Sequence, residues 1–110
     1  MQRFNAYRLM WLFVLFDLPV LTKNDMKNAN LFRKNLIKYG FNRFQLSVYT
    51  RHCSSMENLI KHKQRIKKIL PEKGLVCAIP LTDKQFGEIE IFCGKSRLPV
   101  PPAPQQLELF

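Results

Sequence analysis

Three carboxylates precede residue 71: Asp17, Asp25 and Glu57. Asp25 and Glu57 open stretches with helical spacing, where capping and the positive end of the helix dipole account for them. Asp17 has no such role. It closes an apolar run, Tyr7 to Phe16 (YRLMWLFVLF), in a strongly cationic half of the chain. Two readings stay open for it: an Asx turn or an ion pair to Arg43, or a metal ligand. Mg²⁺ seeks near-octahedral oxygen coordination and keeps several waters, so a lone carboxylate holds it poorly. Two copies of Asp17 facing each other across a twofold axis would hold it better, which calls for a homodimer. A shared Mg²⁺ would then activate water against a phosphodiester gripped by surrounding basic side chains.

Other chemistries find little support. No G-x-S-x-G nucleophile motif and no glycine-rich phosphate loop occurs. His52 and Cys53 are adjacent, and neighbours on a strand point to opposite faces, so they do not form a nucleophile–base pair. Cys53, Cys77 and Cys93 lack any C-x-x-C spacing, which excludes a zinc ribbon or thioredoxin motif. They read as reduced, partly buried thiols of a cytoplasmic protein. His52 and His62 read as surface or helix-end histidines rather than ligands.

Charge points to a polyanionic partner. The 110 residues carry a formal net charge of +10. Residues 1–70 hold 14 basic and three acidic side chains, residues 71–110 four and five, so the whole excess lies in the first seventy. Lys and Arg that neutralise phosphates release counterions and gain affinity, which favours a nucleic acid. The hydrophobic fraction of 46%, with nine Phe, supplies a core and excludes global disorder. The length fits one domain without a deep interdomain cleft, so function sits on a small surface or is shared between copies. The N-terminal apolar run is stopped by Asp17 and Pro19 and is far shorter than the roughly 20 residues of a bilayer span. It reads as a buried central strand, apolar on both faces, with no membrane role.

The elements that must carry these groups follow from spacing. Polar Thr22 to Asp25 announces a helix, with Asn24 or Asp25 as N-cap. Met26, Ala29, Phe32, Leu36 and Tyr39 recur every three or four residues, and Gly40 supplies a stop. FNRFQLSVYTR, residues 41–51, reads as one strand with a bulge or as two short strands. A capping box at Ser54 and Glu57, or a cap at Ser55, opens a second helix with Met56, Leu59, Ile60, Ile66, Ile69 and Leu70 as its core stripe. Pro71 ends it. Residues 75–81 read as a strand, with Pro80 marking either a sheet edge or the strand's end. Thr82 to Gln85 reads as a turn, and the alternation of Phe86 to Phe92 as a half-exposed strand. Together these predict an α+β, ferredoxin-like sandwich: an antiparallel sheet with two helices on one face, spanning residues 1–95. Residues 96–110 read as a proline-rich linker followed by a tail. Its alternating QQLELF is either frayed or a docking strand, with Leu107, Leu109 and Phe110 as contacts.

The strand ending in FDLP, the helix after it, YGFNRFQLSVY, the basic helix and TDKQFGEIEIF together resemble the Cas-two family of CRISPR adaptation proteins, over about residues 7 to 93. TDKQFGEIEIF is similar to the branch found beside Cas9-type effectors. The resemblance implies a ferredoxin-like symmetric homodimer. Family members have been described as metal-dependent endonucleases on RNA or double-stranded DNA. They also serve as scaffolds that bridge two dimers of the Cas-one integrase beneath the protospacer DNA during spacer acquisition. Carried over by position, Asp17 matches the metal-binding, catalytic aspartate and Phe16 the aromatic residue before it. Arg43, Ser47 and Tyr49 match the motif of the second strand region. The family often places several arginines where this chain has Lys23, Asn24, Met26 and Lys27, which thins the basic help for catalysis more than for DNA binding. Lys23, Lys27, Arg43 and Lys84 are the candidate phosphate contacts. A free-standing RNA-binding or antitoxin-like module of the same fold is the alternative, but KYGFNRF only grazes the K/R-G-F pattern of RNA-recognition strands.

Overall fold

The computed structural model describes residues 10–98. The apolar run becomes strand β1 (Met10–Asp17). It sits centrally in a four-stranded antiparallel sheet, between β3 (Val48–Cys53) and β4 (Leu75–Thr82), with β2 (Asn42–Gln45) beyond β3. The order is β2-β3-β1-β4. The 41–51 segment resolves into two strands joined by a turn, with an irregularity between Arg43 and Gln45. β4 lies at the sheet edge, where Pro80 costs no outward ladder bond. The long helices, α1 (Lys23–Lys38) and α2 (Met56–Lys68), cover one face. There Met10, Leu12, Val14 and Phe16 of β1 meet Phe32 and Leu36 of α1 and Leu59 and Ile66 of α2. Residues of β1 at the alternate positions, Trp11 and Phe13, face the other way and pack with Phe86.

The start of α1 differs from the cap positions expected above, while α2 takes the second of its two expected caps. Thr22 is the N-cap of α1: its hydroxyl accepts from the Asp25 N–H at 2.9 Å, and the Asp25 carboxylate accepts from the Thr22 N–H at 3.3 Å. This capping box turns Asp25 inward, so the buried stripe runs Asp25, Ala29, Phe32, Leu36. Met26, one residue off that stripe, is exposed. At α2 the cap is Ser55, which accepts from the Asn58 N–H at 3.0 Å; no Ser54–Glu57 box forms. Met56, Ile60 and Leu70 are exposed, and the α2 stripe is Leu59, His62, Ile66.

Two further expectations are corrected. Phe86 to Phe92 is not one strand. Thr82 and Gln85 form a reciprocal capping box (2.9 and 3.1 Å) that starts the short helix α3 (Asp83–Gly87). Alternation loses to the cap, and Phe86 is driven onto the open sheet face. Only β5 (Ile91–Cys93) remains extended, paired with β6 (Ser96–Leu98). Of the cysteines, Cys53 is buried, while Cys77 and Cys93 are exposed. Leu107, Leu109 and Phe110 lie outside the described residues.

His62 is not at the surface. Leu59, His62 and Ile66 share one helical face, and the imidazole is 1% exposed. Its Nε2 accepts the Arg51 Nε–H at 2.7 Å, while Arg51 Nη1 donates to the Gly40 carbonyl at 3.1 Å. One guanidinium thus ties β3 to α2 and to the end of α1. The ring must be neutral to accept that bond. Burial, then Arg51, Arg65 and Lys61, push its pKa down to about 4. The unfolded value lies near 6.5. Between the two the unfolded chain binds more protons, so stability is full above about pH 6.5 and declines as pH falls toward about 4. The expected loss is on the order of 2–3 kcal/mol. Chemical denaturation from pH 7.5 to 4.5 measures it. His62→Gln keeps an acceptor without titrating and should remove most of the slope, leaving the smaller share due to His52, whose pKa is also lowered by burial.

Candidate functional site at the end of the central strand

Asp17 is the last residue of β1 and pairs with Leu75 of β4. By alternation its side chain shares the open face with Trp11, Phe13 and Leu15. The carboxylate is exposed and has no hydrogen-bond or ion-pair partner among the described residues. Neither the Asx turn nor the Arg43 pair forms. Arg43 pairs with Tyr49 across the β2–β3 ladder, and Tyr49 belongs to the helix-side core, so Arg43 stands on the opposite face from Asp17.

The residues around Asp17 hold its backbone. The Phe16 N–H donates to the Ser47 carbonyl at 3.0 Å, which joins the β2–β3 turn to the strand end. The Phe16 ring is buried on the helix side, edge-on to Phe32 (5.1 Å between centroids) and 5.7 Å from Tyr49. The Arg33 guanidinium lies over it at 5.6 Å. Phe16, Ser47 and Tyr49 are therefore gathered at one place and position Asp17 from below and beside it. Gly74, which the sequence reading passed over, belongs with them. Its φ is +97°, and a Cβ there would lie 2.7 Å from the Asp17 carbonyl oxygen. The loop into β4 can touch the strand end because residue 74 has no side chain. A lone Gly directly before an apolar strand, in KGLVCAIP, was the available signal.

Beside Asp17 the open face is bare. Leu15, Asp17, Ser47, Val48, Leu75 and Cys77 line a shallow depression of about 520 Å³. Leu75 is 76% exposed and Ile79 39%. Toward the other end, α3 covers the sheet: Phe86 stacks on Trp11 at 3.9 Å, and Trp11 Nε1 donates to Asp83 at 3.0 Å. Among the phosphate-contact candidates, Lys23 and Lys27 are exposed on the first turn of α1, next to Met26 along one lined surface. Lys84 stands apart on α3, beside Asp83. Among the described residues no cluster of three or more His, Cys, Asp or Glu could hold a metal. One chain thus offers Mg²⁺ a single carboxylate at this place, a donor set too small for it without a second copy. No described helix is long and apolar enough to cross a membrane.

A βαββαβ chain with sheet order 4-1-3-2 and both long helices on one face is a ferredoxin-like α+β domain, here with an exposed strand-end carboxylate beside a bare apolar surface. Residues 10–89 match the family model described as CRISPR associated protein Cas2, and the chain belongs to that family. It is similar to a "CRISPR-associated endoribonuclease Cas2" of Flavobacterium psychrophilum, 47% identical over 108 residues, 98% of this chain and 94% of that one. A protein of the same name from Parvibaculum lavamentivorans is 44% identical over 92% of this chain and 100% of its own length. A solved structure described as "Crystal structure of cas2" covers 86% of this chain and 99% of its own, with a TM-score of 0.54 at 23% identity, a likeness of fold.

Proposed function

We propose that this chain works as a homodimeric, nucleic-acid-binding scaffold in CRISPR adaptation, lying under protospacer DNA and bridging dimers of the Cas-one integrase. The observation that carries the reading is the bare half of the open sheet face with Asp17 at its rim. Exposed Leu75 and Ile79, beside half-buried Leu15 and Val48, make an apolar surface that a second copy would remove from water. A twofold contact there brings two Asp17 carboxylates toward each other. The excess of positive charge then lies on both halves of one particle and suits a duplex running across it. Lys23 and Lys27 on α1 and Arg43 on β2 are the cations assigned to phosphate.

Cleavage is the second part of the same reading, supported by the endoribonuclease names of the relatives. With two chains the Asp17 pair fits Mg²⁺ as a two-carboxylate site. Mg²⁺ bound there would supply an acidified water and charge neutralisation at the phosphodiester. The chain's own part is to fix the Asp17 backbone through Phe16, Ser47 and Gly74. Asp17→Ala should keep the dimer mass by light scattering and the far-ultraviolet dichroism, and should lose Mg²⁺-dependent cleavage of RNA and duplex DNA. Cleavage at the unsubstituted rate would remove Asp17 from the chemistry. A monomer at micromolar concentration would remove the paired site altogether.

A further inference from the structure

Helix α2 presents a face that the assignments above leave unused. Leu59, His62 and Ile66 point into the core, so the helix turns Lys61, Gln64, Lys67 and Lys68 outward. Its 13 residues hold five cations, Lys61, Lys63, Arg65, Lys67 and Lys68, and one carboxylate, Glu57. None of the five is in an ion pair among the described residues; the pair found there is Lys73 with Asp25. A helix selected only for solubility mixes both signs along its exposed face. After its one carboxylate, exposed Glu57 four residues before Lys61, this helix carries cations alone, and sets Lys61 against Arg65 and Lys63 against Lys67 at the four-residue spacing where like charges destabilise a helix. Arg65 is drawn off over the Tyr39 ring at 5.4 Å, which leaves the lysines to define the surface. Burial and Arg51 lower the His62 pKa most, and Arg65 and Lys61 add to it in the same direction. The platform is also rigid, since the Arg51–His62 bond and the Leu59 and Ile66 contacts fix α2 on the sheet. The far side of the molecule differs, with Asp83 and Glu88 flanking Lys84 on and after α3.

We propose that the outward face of α2 is a second phosphate-binding surface, with Lys61 and Lys68 as direct contacts to the backbone of duplex DNA and Lys67 beside them. The two lysines are seven residues apart, about 10 Å along the helix axis, and project from nearly the same side. The inference rests on the reading that the protein binds duplexes, and extends the contact from the first turn of α1 to a second helix of the same layer.

The test is the salt dependence of binding by the full chain to a short, blunt, mixed-sequence DNA duplex. Each phosphate contact contributes about 0.9 to the slope of log K against log salt. The double substitution Lys61→Gln, Lys68→Gln should lower the slope by about 1.8 for each protomer that touches the duplex. Both residues are exposed, so the thermal transition should be unmoved. The comparison is Lys23→Gln with Lys27→Gln. A slope lowered in both pairs supports the inference. A slope lowered only by the α1 pair overturns it and leaves the scaffold reading standing. A slope lowered by neither overturns both, and weak binding by the unsubstituted chain at low salt would do so directly.

Discussion

Trp11→Ala should lower unfolding stability by about 3–5 kcal/mol, measured by urea denaturation followed by circular dichroism. The indole is 0% exposed and joins three elements on the open face. Phe86 stacks on it at 3.9 Å, His52 meets it edge-on at 4.9 Å, and Asp83 accepts its N–H at 3.0 Å. Truncation would empty the slot that holds α3 against the sheet and leave Asp83 without its donor. The neighbouring rings of Phe13 and Phe44 fix the slot from two other sides, so the walls have little freedom to collapse. For a domain whose total stability is about 5–15 kcal/mol this is a large fraction. Trp11→Phe keeps most of the ring contact and should recover more than half of the loss. Equal losses in the two variants would show that the hydrogen bond to Asp83, and not packing, holds α3.

Gly40→Ala should be nearly as severe, at about 3–4 kcal/mol. Gly40 follows α1 with φ +85°, a left-handed conformation that costs a residue with a Cβ about 1–2 kcal/mol. A methyl group there would also overlap Arg51 Nη1. Arg51 must then move, and with it go the bonds to the Gly40 carbonyl and to His62. The His62 Nδ1 already lacks a partner among the described residues, so losing the Nε2 bond would strand the whole ring. Gly87→Ala serves as the control, since a Cβ there meets nothing within 4 Å and φ is not positive. It should change stability by less than about 1 kcal/mol. Similar effects at the two glycines would mean that the Arg51 contact is energetically idle.

Much of this architecture could be read from residue order because local signals agreed with the global packing. The apolar run from Met10 to Phe16 is flanked by strands on both sides, as its lack of alternation implied, but only Trp11 and Phe13 are covered on the open face, and Leu15 stays half-buried. Gly40 stops α1 for the conformational reason that makes glycine common there. Asp17 ends the strand in the open; that Phe16, Ser47 and Tyr49 lie beside it follows from strand pairing and not from residue order. Where the reading failed, two local rules competed. FGEIEIF alternates, but the Thr82–Gln85 box acts first and winds Phe86 into a helix. Asn24 and Asp25 both suit an N-cap, yet Thr22 takes the position because Asp25 is the partner three residues on. The buried state of His62 depended on a side chain eleven residues away, Arg51, which no periodicity names. The separation of Arg43 from Asp17 depended on strand pairing, since only the Arg43–Tyr49 register shows which face each one occupies.

The sheet's unequal covering also divides its thiols into two kinds. Cys53, under the helices, is 0% exposed, and burial pushes its pKa up to about 11, so little thiolate exists at neutral pH. Cys77 lies in the open beside Asp17. With Cys93 changed to Ser, a maleimide spin label would therefore attach at Cys77 and leave Cys53 untouched wherever no second copy covers that face, placing a magnetic ruler at the rim of the bare surface without altering the core.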